Sequence, residues 1–272
     1  MSMILLREKV YCGDTLVKIL PMMDCIVSYN IRVSDNIRTL AEEFCKELVN
    51  EINTQLKEKD KINIALSGGN TPKAIFKELA ASYKEKLNWE KINLFWGDER
   101  CVPPEDSESN YGMAKKYLFD HIEIPPENIF RIKGENDPFD EVKRYSEVIR
   151  NNLLMQNNLP EFEIMLLGLG EDGHIVSIFP NQMELLGSDK ICEVAFHPGT
   201  KRGRITLTGN VINNSKKIYF LVSGKSKSFA VGEILNKKSD YLNLPAAHIK
   251  PVNGELIWFL DKEAASGINY KT

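Results

Sequence analysis

The sequence predicts an α/β protein with three layers (α/β/α), in which helices cover both faces of an open and mostly parallel β-sheet. The first observation is a set of short runs that are apolar throughout, which is typical of strands buried on both faces: residues 62–66, 92–96, 164–167 and 218–222. The second is that stretches with apolar residues at helical spacing alternate with these runs. The third is that the chain has no repeats, low-complexity tracts or linker-like stretches, which predicts one domain over residues 1–272.

Composition narrows the function classes. Of 272 residues, 43% are hydrophobic and 27% are charged, and the net charge of −3 gives no overall attraction to nucleic acid or to an acidic membrane. Five widely spaced cysteines form no C-x-x-C pair, which favours reduced thiols over a disulfide framework or a zinc site. No apolar run approaches the ~18 residues of a membrane span or resembles a signal peptide. We therefore expect a cytoplasmic protein.

The N-terminal part of the chain predicts an edge segment followed by a helix. Residues 1–34 combine short apolar runs with turn residues, which indicates strands or a hairpin at the edge of the sheet. An apolar stripe at helical spacing then continues to Leu56, and Ser34 or Asp35 can cap this helix.

A glycine-rich turn, Ser67-Gly68-Gly69-Asn70-Thr71-Pro72, follows the strand at 62–66 and leads into a helical pattern at 74–83. Thr71 fits as the N-cap of this helix, with Pro72 at the first helical position. Two glycines before a helix allow backbone N–H groups to approach an anion, and the helix dipole favours negative charge there. A phosphate cradle and a tight turn that merely needs positive φ both remain open at this point.

The strand at 92–96 ends in the charged sequence Gly97-Asp98-Glu99-Arg100, on the rim where the glycine-rich turn is also expected. Farther along, Arg204 and Lys225 each lie at a strand boundary beside a glycine, where they become candidate clamps if the turn holds an anion. The remaining elements are predicted as helices at 107–119, 137–155 and 226–235 and strands at 129–132, 191–196, 204–207 and 256–260.

The sequence EIMLLGLGEDGHIVSIFP, residues 163–180, is the best candidate for chemistry. Its apolar run ends at Gly168, and Asp172 and His174 follow at the carboxyl end of the strand, where ligands of open α/β sheets bind. A carboxylate near an imidazole fixes its tautomer and raises its basicity, which suits a general base. No G-x-S-x-G motif is present, so we expect a water nucleophile rather than an acyl-enzyme.

Two other interpretations of these motifs are weaker. Residues 168–173 formally match the dinucleotide-binding pattern G-x-G-x-x-G, but Pro180 and Gly187 interrupt the long helix that such a site needs. A single histidine among scattered carboxylates is also a poor ligand set for a metal. The other three histidines are interpreted as structural or exposed: His121, His197 and His248.

Five sequence blocks together resemble the superfamily of 6-phosphogluconolactonases and glucosamine-6-phosphate deaminases, from about Ser34 onward. They are ALSGGNTP (65–72), WGDERCVPPEDSESN (96–110), LLGLGEDGHIVSIFP (166–180), RITLT (204–208) with SGKSK (223–227), and LPAAHIKP (244–251) with WFLD (258–261). Phe179 stands where the deaminases carry a catalytic Glu, and Arg100 stands where they carry Tyr; both differences favour the lactonases. Ile175 and Val176 depart from the usual lactonase Thr-Ala, and Ile175 is the residue that the deaminases have; this difference is interpreted as packing behind the histidine, since Ser177 and Phe179 keep the lactonase pattern.

The resemblance implies a sugar-phosphate isomerase-like fold and hydrolysis of 6-phospho-D-glucono-1,5-lactone without metal or cofactor. It implies that His174, oriented by Asp172, activates water, and that a second set of residues binds the phosphate and sugar hydroxyls: Gly68, Gly69, Asn70, Thr71, Asp98, Arg100, Arg204 and Lys225. The expected partner is a small sugar phosphate, with no nucleic acid and no membrane. A deaminase or isomerase, and a sugar-phosphate sensor without turnover, remain as alternatives.

Overall fold

The computed structural model describes residues 30–156, 158–238 and 240–269. Its strands are β1 (Asn30–Ser34), β2 (Ile62–Leu66), β3 (Ile92–Trp96), β4 (Asp98–Arg100), β5 (Met155–Gln156), β6 (Leu159–Pro160), β7 (Ile164–Leu167), β8 (Cys192–Phe196), β9 (Gly203–Leu207), β10 (Lys217–Val222) and β11 (Glu255–Asp261). Its α-helices are α1 (Ile37–Gln55), α2 (Asn70–Glu78), α3 (Asn110–Tyr117), α4 (Pro138–Asn152), α5 (Gly209–Asn213), α6 (Ser228–Leu235) and α7 (Lys262–Ala265).

Six strands form one parallel sheet in the order β1-β11-β10-β7-β2-β3. From β2 the chain moves outward to β3, and then returns to the other side of β2 to add β7, β10 and β11 in the opposite direction. The order therefore reverses between β2 and β7, and the carboxyl ends of these two strands flank the crevice where open α/β sheets bind ligands. The predicted fold class and mostly parallel sheet are confirmed.

Both faces of this sheet are covered, as the uniformly apolar strands predicted. Successive side chains of a strand point to opposite faces. On one face, Phe44 of α1 packs edge-on against Tyr219 and Phe259, with ring centroids 5.1 and 5.2 Å apart. On the other face, Phe220 stacks on Trp258 at 3.9 Å, and both rings are fully buried. Aromatic side chains therefore pack on both faces of the sheet.

A second, antiparallel sheet, β4-β9-β8, projects from the end of β3. The backbone joins the two sheets, because Leu207 donates its N–H to the carbonyl of Gly97 at 2.8 Å. Strands were predicted at 191–196 and 204–207, but their separation into a small sheet was not. This sheet brings Arg100 and Arg204 opposite each other in register, above the carboxyl ends of the parallel strands.

Several predicted boundaries are wrong. Residues 129–132 form no strand and make a single bridge from Ile129 to Leu94. The expected helix cap at Ser34 or Asp35 lies instead at Asn36, whose Oδ1 accepts hydrogen bonds from two backbone N–H groups of α1. Of the predicted edge segment, residues 30–34 form the edge strand β1, and residues 1–29 lie outside the described residues.

None of the helices in the described ranges is long and apolar enough to cross a membrane.

Candidate active site

A cavity of about 570 Å³ opens at the carboxyl ends of the parallel strands, at the crevice between β2 and β7. It is polar, and it receives loops from β2, β7, β10 and β11 together with the small sheet. Most of the predicted site residues line it: Gly68, Gly69, Asn70, Thr71, Asp98, Arg100, His174 and Arg204. Residues that are scattered over 137 positions of the sequence therefore meet in one place.

The glycine-rich turn after β2 forms one wall of the cavity. Gly69 is the N-cap of α2 and has φ of 102°, a left-handed conformation that favours glycine. Thr71 therefore lies inside the helix, and the prediction that it is the N-cap is wrong; its Oγ1 instead shares a 2.7 Å hydrogen bond with Ser223 Oγ. A side chain at Gly68 would collide with Asn110. The turn thus exposes the first backbone N–H groups of α2 to the cavity, where a negative charge is favoured.

His174 and Asp172 form a hydrogen-bonded pair in the turn after β7. The Nδ1 of His174 lies 2.6 Å from Asp172 Oδ1, and a side chain at Gly170 would overlap the imidazole, so only glycine fits there. Partial burial raises the pKa of Asp172, but the hydrogen bond and charge of His174 outweigh it and leave this pKa below its ordinary value. An ionised Asp172 accepts the proton on Nδ1, which leaves the Nε2 lone pair of His174 free to act as a base.

Arg100 and Arg204 face each other across β4 and β9. Like charges on directly opposed residues destabilise an antiparallel pair, and in the described part of the chain the buried Nε of each arginine has no hydrogen-bond partner. Burial, and next the positive charge of Arg100, lower the pKa of Arg204 from its ordinary value. Two partly buried guanidinium groups that line one cavity are a candidate anion site, because an anion between them would relieve their repulsion.

Asp98, in the same strand as Arg100, also lines the cavity and is almost completely buried. Its Oδ2 accepts a 2.7 Å hydrogen bond from Ser177, and Asn110 donates to both its Oδ1 and its backbone carbonyl. These bonds join the small sheet, the turn after β7 and the start of α3. Asp98 therefore ties together the segments that carry Arg100 and His174 and the start of α3, where Asn110 packs against Gly68 of the glycine-rich turn.

The structure places Lys225 apart from the other predicted clamps. Its ammonium group lies outside the cavity lining and donates to Ser266 Oγ at 2.8 Å, whereas Lys227 lines the cavity. Gly224 has φ of 94° and its N–H donates to both carboxylate oxygens of Asp261, which starts a 3-10 turn over Lys225–Lys227. This turn points the first lysine away and the second inward. The two-residue spacing in SGKSK predicts that the two lysines point in different directions, but it does not predict which of them faces the cavity.

The pattern G-x-G-x-x-G does not mark a dinucleotide site. Residues 168–182 form turns and bridges, with no helix after the third glycine. The glycines instead make room for the imidazole of His174 and for Leu244, which contacts Gly173.

Fold and site together indicate an α/β enzyme, with an arginine-lined polar cavity beside a histidine–aspartate pair at the switch point of a parallel sheet. The chain belongs to the family described as glucosamine-6-phosphate isomerases/6-phosphogluconolactonase, whose model matches residues 35–258. This confirms the family that the five sequence blocks indicated.

Curated relatives and solved structures agree with this membership. The chain is 45% identical to a 6-phosphogluconolactonase of Haemophilus influenzae over 204 residues, which cover 75% of this chain and 86% of the relative. It is 37% identical to a 6-phosphogluconolactonase of Synechocystis over 86% of this chain and 95% of the relative. The structure of the 6-phosphogluconolactonase of Trypanosoma brucei superposes with a TM-score of 0.80 at 26% identity, covering 89% of this chain and 99% of that one.

Proposed function

We propose that this protein is a 6-phosphogluconolactonase, which hydrolyses 6-phospho-D-glucono-1,5-lactone to 6-phosphogluconate. The observation that carries the proposal is that His174, hydrogen-bonded to Asp172 just outside the cavity lining, shares one cavity with the opposed Arg100 and Arg204. A base and an anion clamp in one cavity suit a substrate that carries a phosphate at one end and a hydrolysable ester at the other. The names of the curated relatives support the same activity.

In the proposed mechanism, His174 acts first as a general base and then as a general acid. Its Nε2 removes a proton from water while the water oxygen attacks C1 of the lactone, which gives a tetrahedral oxyanion. The C1–O bond of the ring then breaks, and the proton on Nε2 passes to the departing ring oxygen, which becomes the C5 hydroxyl. Asp172 holds the proton on Nδ1 and stabilises the imidazolium between the two steps.

The phosphate is proposed to lie between the arginine pair, Lys227 and the backbone N–H groups at the start of α2. Cations and N–H groups that converge on one volume bind a dianion and fix the distance between the phosphate and the reacting carbon. Holding the carbonyl beside a positioned base contributes to the rate as well as to affinity.

A sugar-phosphate substrate and the reduced cysteines expected from the sequence also support a place in the cytoplasm.

The alternative deaminase activity is disfavoured by the contact of His174 with Phe179. The phenyl ring is almost completely buried, and its centroid lies 4.7 Å from that of the imidazole. By the resemblance, a deaminase needs a carboxylate at this position to open the sugar ring. An apolar ring there can neither donate nor accept the proton.

The test is a pair of assays on the purified full chain, with a chelator present in both. One measures 6-phosphogluconate formed from freshly prepared lactone, after subtraction of uncatalysed hydrolysis, and the other measures ammonia released from glucosamine 6-phosphate. We expect rapid lactone hydrolysis and no ammonia. Ammonia release would support the deaminase instead, and binding of 6-phosphogluconate with no turnover in either assay would indicate a sensor.

The two lysines of the SGKSK block provide a matched pair. We expect Lys227→Ala to raise KM for the lactone about tenfold or more, because it removes a charge-assisted contact worth about 1.5–3 kcal/mol. Lys225→Ala should leave KM within twofold of the wild type, because its ammonium group is bonded to Ser266 outside the cavity. The measurement is KM for the lactone from steady-state kinetics on both variants. A raised KM in Lys225→Ala but not in Lys227→Ala would mean that Lys225 binds the phosphate.

A further inference from the structure

His197, which was interpreted from the sequence as structural or exposed, lies one aromatic ring away from His174. The buried ring of Phe179 contacts two imidazoles: that of His174 at 4.7 Å and that of His197 at 5.4 Å between ring centroids. The second contact is edge-on, at 74° between the ring planes, which is a favourable arrangement for aromatic rings. Phe179 is therefore packed between the proposed base and a second histidine.

The loop between β8 and β9 fixes the ring of His197. Its Nδ1 accepts hydrogen bonds from the backbone N–H groups of Gly199 and Thr200, at 3.2 and 3.1 Å. Its backbone is also paired, because His197 N donates to Arg202 O and Lys201 N donates to His197 O. An Nδ1 that accepts two N–H groups leaves the ring proton on Nε2, so His197 is held as one neutral tautomer.

The surrounding charges favour the same neutral form. Burial is the largest effect that lowers the pKa of His197, followed by the positive charges of Arg204, His174 and Arg100, and only Asp172 opposes them. A neutral His197 can pack on Phe179 without adding a third positive charge beside the arginine pair.

Gln182 links the Phe179 turn to the strand that ends beside His197. Its side-chain amide donates to Phe196 O at 2.7 Å and accepts from Phe196 N at 2.9 Å, as a neighbouring strand would. Its own backbone N–H closes the turn by donating to Phe179 O at 2.9 Å. The turn therefore cannot move away from β8 without breaking this pair of bonds.

The bond to Asp172 holds the imidazole of His174 at one ring atom, Nδ1, and the side chain remains one-third exposed. The ring of Phe179 adds a second contact that limits the movement of the imidazole. Resting on the proposed lactonase function, we propose that His197 is a positioning residue: acting through Phe179, it holds the imidazole of His174 in the orientation that the reaction requires. The contact does not involve the substrate, so the effect belongs to kcat rather than to KM.

Two substitutions separate the ring contact from the loop contact. His197→Asn keeps an oxygen near Nδ1 for the loop N–H groups but removes the ring that touches Phe179, and His197→Phe does the reverse. We expect H197N to lower kcat for the lactone about tenfold with KM within twofold of the wild type, because small misplacements of reacting groups are costly. H197F should keep kcat within threefold but lower the thermal midpoint. The control is His121→Asn, whose ring bonds Lys116 O at the protein surface and should leave both constants unchanged.

NMR of ¹³C-histidine-labelled protein without substrate gives a second readout. The His174 imidazole resonance should shift or broaden in H197N and stay unchanged in H121N. An H197N enzyme with kcat within twofold of the wild type and an unchanged His174 resonance would overturn the proposal, as would a rise in KM alone. If H197N does not fold, Gln182→Ala loosens the same turn and carries the same expectations. Wild-type protein without lactonase activity would overturn the proposed function, and the NMR comparison would still decide whether His197 positions His174.

Discussion

Replacement of His174 by alanine is expected to lower kcat for lactone hydrolysis by about 10²–10⁴-fold, the usual contribution of a positioned general base. KM should change less than about threefold, because the proposed phosphate contacts come from other elements of the cavity. The variant should fold normally, since the side chain is one-third exposed and its hydrogen-bond partner, Asp172, is itself partly exposed to water. Steady-state rates corrected for uncatalysed hydrolysis, with a thermal melt as the folding check, measure this effect.

Two controls make the result specific to the proposed base. Asp172→Asn should lower kcat less than H174A does, because it leaves a base in place but no longer favours the Nε2 lone pair. Added imidazole should restore part of the H174A rate, since the vacated space can admit a free base. Turnover by H174A within tenfold of the wild-type rate would mean that another group activates the water.

The central sheet could be predicted from the sequence because burial on both faces leaves a direct imprint. A strand such as Ile164–Leu167 must be apolar at every position, and no solvent-facing residue interrupts the run. The turn after it was predictable for a related reason, because the glycine at 170 is required by the space that the His174 imidazole occupies. Backbone constraints of this kind are local, and the sequence shows them within a few residues.

The opposition of Arg100 and Arg204 could not be predicted in this way. The two residues are 104 positions apart, and only the pairing of β4 with β9 places them face to face. The sequence marks each as a cation near a strand end but carries no signal for the register between the two strands. The resemblance to a family predicted that both arginines belong to one binding site, and only the structure shows how they are arranged.

Lys225 and His197 show a second limit, which is the direction of a side chain within a turn. Lys225 and Lys227 differ by two residues in a 3-10 turn, and a rotation of the helix start alone decides which faces the cavity. His197 precedes a proline in a polar loop, where most histidines are simply exposed. Its position depends on Gln182 and Phe179, which lie in a different segment. Such contacts follow from tertiary packing.

Replacement of Arg204 by alanine is expected to raise KM for the lactone by about 30-fold or more, because loss of one partner in a desolvated charge contact costs about 2–5 kcal/mol. The same substitution should not destabilise the ligand-free protein, since it removes the repulsion between Arg204 and Arg100. The substitution is therefore expected to weaken substrate binding without lowering the stability of the ligand-free protein. Inorganic phosphate or 6-phosphogluconate should raise the thermal midpoint of the wild type by more than that of R204A.

Arg202→Ala is the matched control. Arg202 lies only two residues before Arg204 in the chain, but it is exposed and forms an ion pair with Glu108. We expect its KM to equal that of the wild type. Glucono-1,5-lactone, which lacks the phosphate, provides the final comparison: R204A should lose much of the preference for the phosphorylated substrate, while its rate on the unphosphorylated lactone stays near the wild-type value. An unaltered preference would mean that the arginine pair binds another part of the sugar, and the phosphate would then have to be assigned to Lys227 and the start of α2.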